Sequence, residues 1–309
     1  SSDNFQQLYD WAILLIKKGK AYVDSQTSEE MAEQKGTPTT VGKNSPYRDR
    51  SVDENLNIFT EMKNGVHKEG VHVLRAKIDM SHPNMLMRDP IIYRVLNKPH
   101  HRTSTDWKIY PMYDWAHGQC DYIEQVSHSL CSLEFKPHRD LYEWFIESIK
   151  PETQNMSVLP KQREFARLNL SYTIMSKRKL AVLVEKELVD GWDDPRMPTI
   201  SGLRRRGYTP KSIREFINKV GVAKRENVID VSLLEFCVRE DLNKEADRKM
   251  VVIDPVKLTI TNYPEGKTEE LESEDNPEKD GIKKRIIPFN KHLYICLLYT
   301  SDAADDLIG

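Results

Sequence analysis

The run Tyr172-Thr173-Ile174-Met175-Ser176-Lys177-Arg178-Lys179-Leu180 sets three cations behind a serine, entered from an apolar-alternating segment, Phe165, Leu168 and Leu170. This pattern predicts a strand delivering a mobile cationic loop. Lysine ammoniums act as point charges toward phosphate, and the Ser176 hydroxyl and loop amides can donate hydrogen bonds, so a polyphosphate is the ligand class that fits. A solvated basic face opening a helix through Leu183 is the competing reading. Tyr113 and His117 lie four residues apart, on one face if the chain turns helical after Asp114. A phenol and an imidazole can together orient a neutral carboxamide. The cluster Arg204-Arg205-Arg206 and the run Ala223-Lys224-Arg225-Glu226-Asn227-Val228-Ile229-Asp230 suit the phosphates and riboses of RNA. The plainer alternative for both is a solvated helix face balanced by Glu215 and Glu226.

The elements that must carry these residues follow from periodicity. Phe5, Leu8, Trp11, Ala12, Leu15 and Ile16 predict an amphipathic helix from about Asp3 to Lys18, stopped by Gly19. Ala21 to Asp24 reads as a short strand. Thr27-Ser28-Glu29-Glu30 starts a second helix, and a third runs from about Ser51 to Met62. Between Gly70 and Ile78, Val71, Val73 and Ala76 alternate with His72, Leu74 and Lys77, and Ile91 to Val95 follows a turn as another strand. Ile109-Tyr110 ends a strand, Gly118 to Val126 and Leu141 to Ile149 read as helices, and Phe165 to Leu170 as a strand. Alternation of this kind argues for an α/β fold with a parallel sheet and ligands at the carboxyl ends of its strands. Lys150 to Pro160 is a loop. From Leu188 to about Met250 the pattern is helical, with proline opening Pro210 to Val220 and Gly221 closing it. Val251 to Thr261 turns to period two, Glu269 to Asp280 reads as an acidic loop, and Arg285 to Phe289 as a strand.

With 309 residues the chain is long enough for two or three domains. Its 46 lysines and arginines nearly balance 48 aspartates and glutamates, so attraction to nucleic acid must come from local clusters rather than from the overall field. No run of 18 apolar residues is present, which sets aside a membrane partner, and no signal-peptide pattern opens the sequence. Cytoplasmic residence is expected. The four cysteines have neither metal-ligand spacing nor disulfide density, and Cys131 is expected in a core. His100-His101 is read as surface, and no metal site is expected.

The nonapeptide resembles the second signature of class I aminoacyl-tRNA synthetases, Lys-Met-Ser-Lys-Ser in its standard form and Val-Met-Ser-Lys-Arg in the glutaminyl branch. Tyr110-Pro-Met-Tyr-Asp-Trp-Ala-His117, His128-Ser-Leu-Cys-Ser-Leu-Glu-Phe135 and Gly191-Trp-Asp-Asp-Pro-Arg-Met-Pro-Thr-Ile-Ser-Gly-Leu-Arg-Arg-Arg-Gly-Tyr208 look like that branch as well. From Ser1 to about Ile295 the chain resembles the glutaminyl-tRNA synthetase family. The resemblance implies an acceptor-end-binding insertion over 1–110, the second half of a Rossmann-type catalytic domain over 111–187, a helical tRNA-contacting subdomain over 188–250 and the start of an anticodon-binding β-barrel over 251–295. Residues 296–309 match nothing in the family and are expected to lie outside its fold.

It also implies chemistry: ATP-dependent ligation of glutamine to tRNA through an adenylate, with Mg²⁺ accompanying ATP, by a monomer. Lys177 would stabilise the phosphates as the catalytic residue, with Met175, Ser176, Ser132, Arg167 and Leu168 completing the ATP contacts. Without the resemblance Leu168 would be read as core. Tyr113, His117, Ser129 and Gln162 would bind glutamine, and Arg204 to Arg206 with Ala223 to Asp230 would contact tRNA. Ser132 stands where bacterial members have threonine, and Pro137-His138 where the family carries an acceptor-reading carboxylate. The first class I signature, His-Ile-Gly-His, and the acidic anchor for the substrate amino group are absent from the sequence. The expectation is therefore a central piece, truncated at both ends, that cannot form adenylate alone. A glutamyl-tRNA synthetase of archaeal or eukaryotic type and a catalytically inactive tRNA-binding fragment are the rival readings. His117 and the wording around Ser129 favour glutamine, since a glutamate site should present a cation near the side chain.

Overall fold

A computed structural model describes residues 2–150, 157–249, 251–279, 281 and 283–296. The chain divides into two units, Ser1–Arg167 with Val222–Glu226, and Leu168–Gly221 with the residues from Asn227 onward. Each is described by itself.

In the first unit, apolar residues at three-and-four spacing fold as α1 (Phe5–Lys17), which buries Leu8, Trp11, Ala12, Leu15 and Ile16. β1 (Ala21–Asp24) follows, then α2 (Ser28–Lys35), opened by a reciprocal capping box between Thr27 and Glu30, and α3 (Val52–Lys63), capped by Ser51. β2 (Val73–Ala76), β3 (Ile91–Val95) and β4 (Ile109–Pro111) complete a four-stranded antiparallel sheet in the order β1-β2-β3-β4. The alternation read between Gly70 and Ile78 is not what forms: all four residues of β2 are buried. Arg75 among them is tolerated because its guanidinium meets Asp24 at 2.7 Å and donates to the Asp89 carbonyl at 2.7 Å.

α4 (Tyr113–Ile123), β5 (His128–Ser132), α5 (Arg139–Ile149) and β6 (Lys161–Phe165) follow. β5 and β6 are parallel, with Ser129 opposite Gln162 and Ser132 opposite Phe165. A parallel pair needs a crossover, and α5 lies in the connection between them. One core joins these helices to the antiparallel sheet, with Phe59, Leu74, Ile92, Tyr93, Trp115 and Phe145 among its members. Gly118 permits the close approach of α4 to α5: a Cβ there would stand 2.8 Å from the Tyr142 ring.

The second unit begins with β7 (Leu168–Leu170), then α6 (Lys177–Glu185), α7 (Ile200–Arg206), α8 (Pro210–Val220), β8 (Asn227–Ile229) and α9 (Val231–Glu245). β7 and β8 pair in parallel, and Leu168, Leu170 and Ile229 pack on a small core of Phe216, Leu234, Cys237 and Val238. β9 (Val256–Thr259), β10 (Thr268–Glu274), β11 (Lys284–Asn290) and β12 (His292–Ile295) form two antiparallel pairs, β9 with β12 and β10 with β11. Asn276 ties this region to α9 by donating to the Asn243 and Ala246 carbonyls at 2.9 and 2.8 Å.

Several sequence expectations need correction. The fourth helix starts at Tyr113 rather than Gly118, because Met112 is extended and the turn closes behind it. Phe165 to Leu170 is not one strand: it divides between β6 and β7, which pair with different partners. The stretch read as helical beyond Leu188 includes the strand β8. Only Val256 to Thr259 of the period-two segment is a strand. Glu269 to Glu274, read as acidic loop, lies in β10, where Glu272 meets Lys284 at 2.7 Å across the pair. Residues 151–156 of the expected loop and 297–309 of the expected tail lie outside the described residues. Among the described residues no helix is long and apolar enough to cross a membrane.

Candidate active-site elements

In the first unit, Tyr113 opens α4 and His117 lies one turn on, so their rings stack, with centroids 5.1 Å apart and planes 28° from parallel. Phe135 flanks Tyr113 at 4.8 Å, and the Tyr142 ring meets the imidazole edge to face at 5.7 Å. His117 Nε2 lies 3.0 Å from Ser129 Oγ, so three of the four residues expected to bind glutamine come together. Ser129 is fully buried and also donates to Asp121 in a very short contact. Tyr113 is half exposed. Partial burial, aided by Cys131, Asp114 and Asp121, raises its phenol above the ordinary value, so it keeps its proton at neutral pH.

Gln162, the fourth, faces Ser129 across the strand pair, but its amide nitrogen is engaged within the protein, donating to the Phe135 carbonyl at 2.8 Å and to Glu164 at 2.9 Å. Glu164 is buried and held in an ion pair by Arg139. Burial would raise its carboxyl, but Arg139 and the Gln162 amide outweigh that and hold it below the usual range. Ser132 sits at the carboxyl end of β5, half-buried, and its side chain makes no capping bond to the turn that follows. His138, one of the two residues at the departure from the family pattern, pairs with Asp114 at 2.6 Å.

The sequence reading missed Asp121, Tyr142, Arg139 and Glu164. The spacing of Asp121 from His117, four residues along a helix, was the one available signal. Tyr142 reaches the imidazole through the packing of α5 on α4, and Arg139 and Glu164 converge only once β6 is paired beside β5.

In the second unit, Tyr172 to Ser176 is a loop and the helix of the competing reading does form, beginning at Lys177. Lys177, Arg178 and Lys179 are exposed in the first turn of α6 with no acidic residue beside them, and the Ser176 side chain makes no cap. The exposed amides of a helix start and three cations make a strongly electropositive corner. Met175 and Lys177 line a recess of about 470 Å³ with Leu180, Trp192 and Thr199. Leu168, Met175, Leu180 and Phe216 share an apolar cavity of about 490 Å³, so Leu168 is both core and cavity wall. Arg167 is exposed at the end of the first unit.

Arg204, Arg205 and Arg206 are exposed in the last turn of α7, where cations suit the helix dipole. Arg205 reaches Asp193 at 3.4 Å and Arg206 lies over the Tyr208 ring. Gly202 in the same helix admits no side chain, since a Cβ would stand 2.3 Å from the Met197 carbonyl oxygen. The run from Ala223 divides between the units. Lys224, Arg225 and Glu226 are exposed, Asn227, Val228 and Ile229 form β8, and Asp230 caps α9 by accepting from Ser232 at 2.8 Å. That bond holds the Asp230 carboxyl below its ordinary value.

These features match a known class. The family model for the catalytic domain of class I tRNA synthetases (E and Q) matches residues 1–244, and that for their anticodon-binding domain matches residues 246–298. The chain therefore belongs to the class I tRNA synthetases of the E and Q group. Among its relatives, the glutamine–tRNA ligases of Bradyrhizobium diazoefficiens and Clostridium perfringens are 54% and 55% identical over 295 residues, covering 96% of this chain and 52% of each relative. That of Colwellia psychrerythraea is 55% identical over 296 residues, with the same coverage. The chain thus spans about half the length of the curated relatives it matches. A glutamate tRNA ligase from Elizabethkingia meningosepticum, crystallised in complex with its amino acid, aligns at 16% identity with a TM-score of 0.48, over 78% of this chain and 53% of that chain.

Proposed function

We propose that this chain is part of an enzyme that ligates glutamine to its cognate tRNA. The observation that carries this reading is the convergence of Tyr113, His117 and Ser129 in a chain about 54% identical to proteins named glutamine–tRNA ligase. In the first step a glutamine carboxylate oxygen attacks the α-phosphorus of ATP and pyrophosphate leaves. In the second the terminal ribose hydroxyl of tRNA attacks the carbonyl carbon of the adenylate and AMP leaves. Both steps ask for orientation and charge stabilisation more than for proton transfer.

Lys177 supplies charge to the phosphates from the start of α6, with Met175, Ser176, Ser132, Arg167 and Leu168 around the nucleotide. Mg²⁺ accompanies ATP, where the phosphates and water supply most of its ligands. Tyr113 and His117 meet the glutamine substrate, and Ser129 and Gln162, whose polar atoms are engaged within the protein, back them. Arg204, Arg205, Arg206 and the stretch from Ala223 to Asp230 face tRNA. In this reading residues 1–110 receive the acceptor end, 111–187 are the second half of a Rossmann-type domain, 188–250 contact the tRNA, and 251–295 open the anticodon-binding barrel of a cytoplasmic monomer.

A glutamate enzyme of the same group is the alternative. It is less well supported, because the rings of Tyr113 and His117 are backed by Asp121 rather than by a lysine or arginine. A tRNA-binding piece without activity is the other. ATP–pyrophosphate exchange by the full-length enzyme containing this chain, with glutamine and glutamate in parallel, separates the three: exchange with glutamine is expected, exchange with glutamate alone supports the first alternative, and tRNA binding without exchange supports the second.

A further inference from the structure

Tyr172 to Met175 and the helices α6, α7, α8 and α9 all contribute side chains to the apolar cavity of about 490 Å³ in the second unit. Met197, Phe216 and Leu234 are buried in its wall and Ile213 lines it from α8. Tyr172 and Ile217 line it while remaining 98% and 45% exposed, so the cavity opens to solvent. An internal water needs about two to four polar partners, which such walls do not offer. An apolar molecule gains both the cavity surface and the exposed side chains at its mouth. The volume lies within the roughly 300–1,000 Å³ of small-molecule sites. Charge narrows the choice further. No aspartate or glutamate is among the lining residues, and two arginines are. Arg196 is matched by Asp194, with contacts of 2.9 and 2.7 Å. Arg206 is exposed at the end of α7 with its guanidinium 5.6 Å from the centre of the Tyr208 ring, and among the described residues no carboxylate pairs with it.

We propose that this cavity is a binding site for a carboxylate carried on an apolar body the size of a medium-chain fatty acid. The chain lies among Met197, Ile213, Phe216 and Leu234, and the carboxylate meets the Arg206 guanidinium, whose planar set of donors suits it. A cationic amphiphile is disfavoured at the same mouth by both arginines, and a neutral one leaves the Arg206 charge unmatched. Leu168 and Met175, proposed above to meet ATP, also line the cavity, so the nucleotide is the rival occupant that the test must separate.

The test titrates the full-length enzyme containing this chain, ¹³C-labelled at the isoleucine δ1 methyls, with sodium decanoate. RNA is left out, since Arg206 is proposed above to face tRNA. The methyl signals of Ile213 and Ile217, assigned by their loss in Ile213→Val and Ile217→Val, should shift and saturate as for a single site. Octanoate should bind about tenfold more weakly, for the loss of two buried methylenes. Decanol in place of decanoate, or decanoate with Arg206→Gln, should each bind at least about tenfold more weakly, the factor carried by one hydrogen bond to a charged group. Decanoate should stay bound when ATP is added. Ile213 and Ile217 methyls that do not move up to about 1 mM decanoate, where only weak association is left, overturn the proposal without recourse to any disruptive variant. Decanol binding as tightly as decanoate overturns it by removing the carboxylate from the recognition, and displacement of decanoate by ATP overturns it by making the cavity part of the nucleotide site. Binding is read without turnover, so these outcomes stand whichever amino acid the enzyme activates.

Discussion

Replacing Lys177 by alanine should make the protein slightly more stable and much less active. α6 is a nine-residue helix whose first turn carries Lys177, Arg178 and Lys179 and no carboxylate. A cation at the positive end of a helix costs roughly 0.3–1 kcal/mol, so three of them oppose this helix by about 1–3 kcal/mol. Serine at the capping position gives nothing back, because its side chain makes no bond to the helix amides. Lys177→Ala removes one of the three cations and introduces the best helix former, a gain of about 0.5–1 kcal/mol. The same change removes a charge proposed to meet the phosphates, and loss of one group that stabilises developing charge costs about 10²–10³ in rate. The assay is ATP–pyrophosphate exchange by the full-length enzyme beside its thermal midpoint. A fall of less than tenfold, or a midpoint that drops together with the rate, would refute the reasoning, since the first denies the phosphate role and the second makes Lys177 structural.

Three further outcomes follow from the first unit. Asp24→Ala leaves the buried Arg75 guanidinium without its charged partner and should destabilise by about 3–5 kcal/mol, whereas Asp24→Leu with Arg75→Met should recover most of the loss. In a Trp192→Phe background the remaining tryptophans all lie in that unit, so urea unfolding followed by their fluorescence reads it alone. Gly118→Ala should destabilise despite a helix-propensity gain of about 1 kcal/mol, because the added methyl meets the buried Tyr142 ring, and overpacking costs about 1–3 kcal/mol. The same fluorescence measurement checks this. Glu164 has a folded pKa below its unfolded one, so its contribution is complete above the ordinary glutamate value and is lost as pH falls through the folded value. Unfolding of Glu164→Gln between about pH 3 and 6 should accordingly vary less steeply than that of the parent.

Local rules made much of the chain legible. α1 and α8 follow from apolar spacing and stop signals, α2 from a capping threonine with glutamate three residues on, and β1 from a short apolar run. What failed was whatever depends on distant partners. Arg75 is a charge inside a segment read as half-buried, and only Asp24, fifty-one residues earlier, lets it go fully inside. Glu269 to Glu274 looks like loop because acidic residues disfavour strands, yet its cross-strand neighbours include Lys284 and Arg285, which offset that preference. Phe165 to Leu170 reads as continuous because periodicity cannot tell that the chain passes from one strand pair to another.

The candidate glutamine site divides along the same line. Tyr113 and His117 were legible because a helix fixes their relation at close range. Ser129 and Gln162 sit opposite each other only because β5 and β6 run parallel, and that register sets Glu164 beside them, while Asp121 reaches Ser129 from α4. Side chains proposed to touch a substrate can thus be found by type and spacing, while the polar groups that hold them are found only once the strands are paired. For the proposed choice of an amide over an acid the second set matters at least as much, because the two candidate substrates are nearly the same size and differ in what they offer to a hydrogen bond.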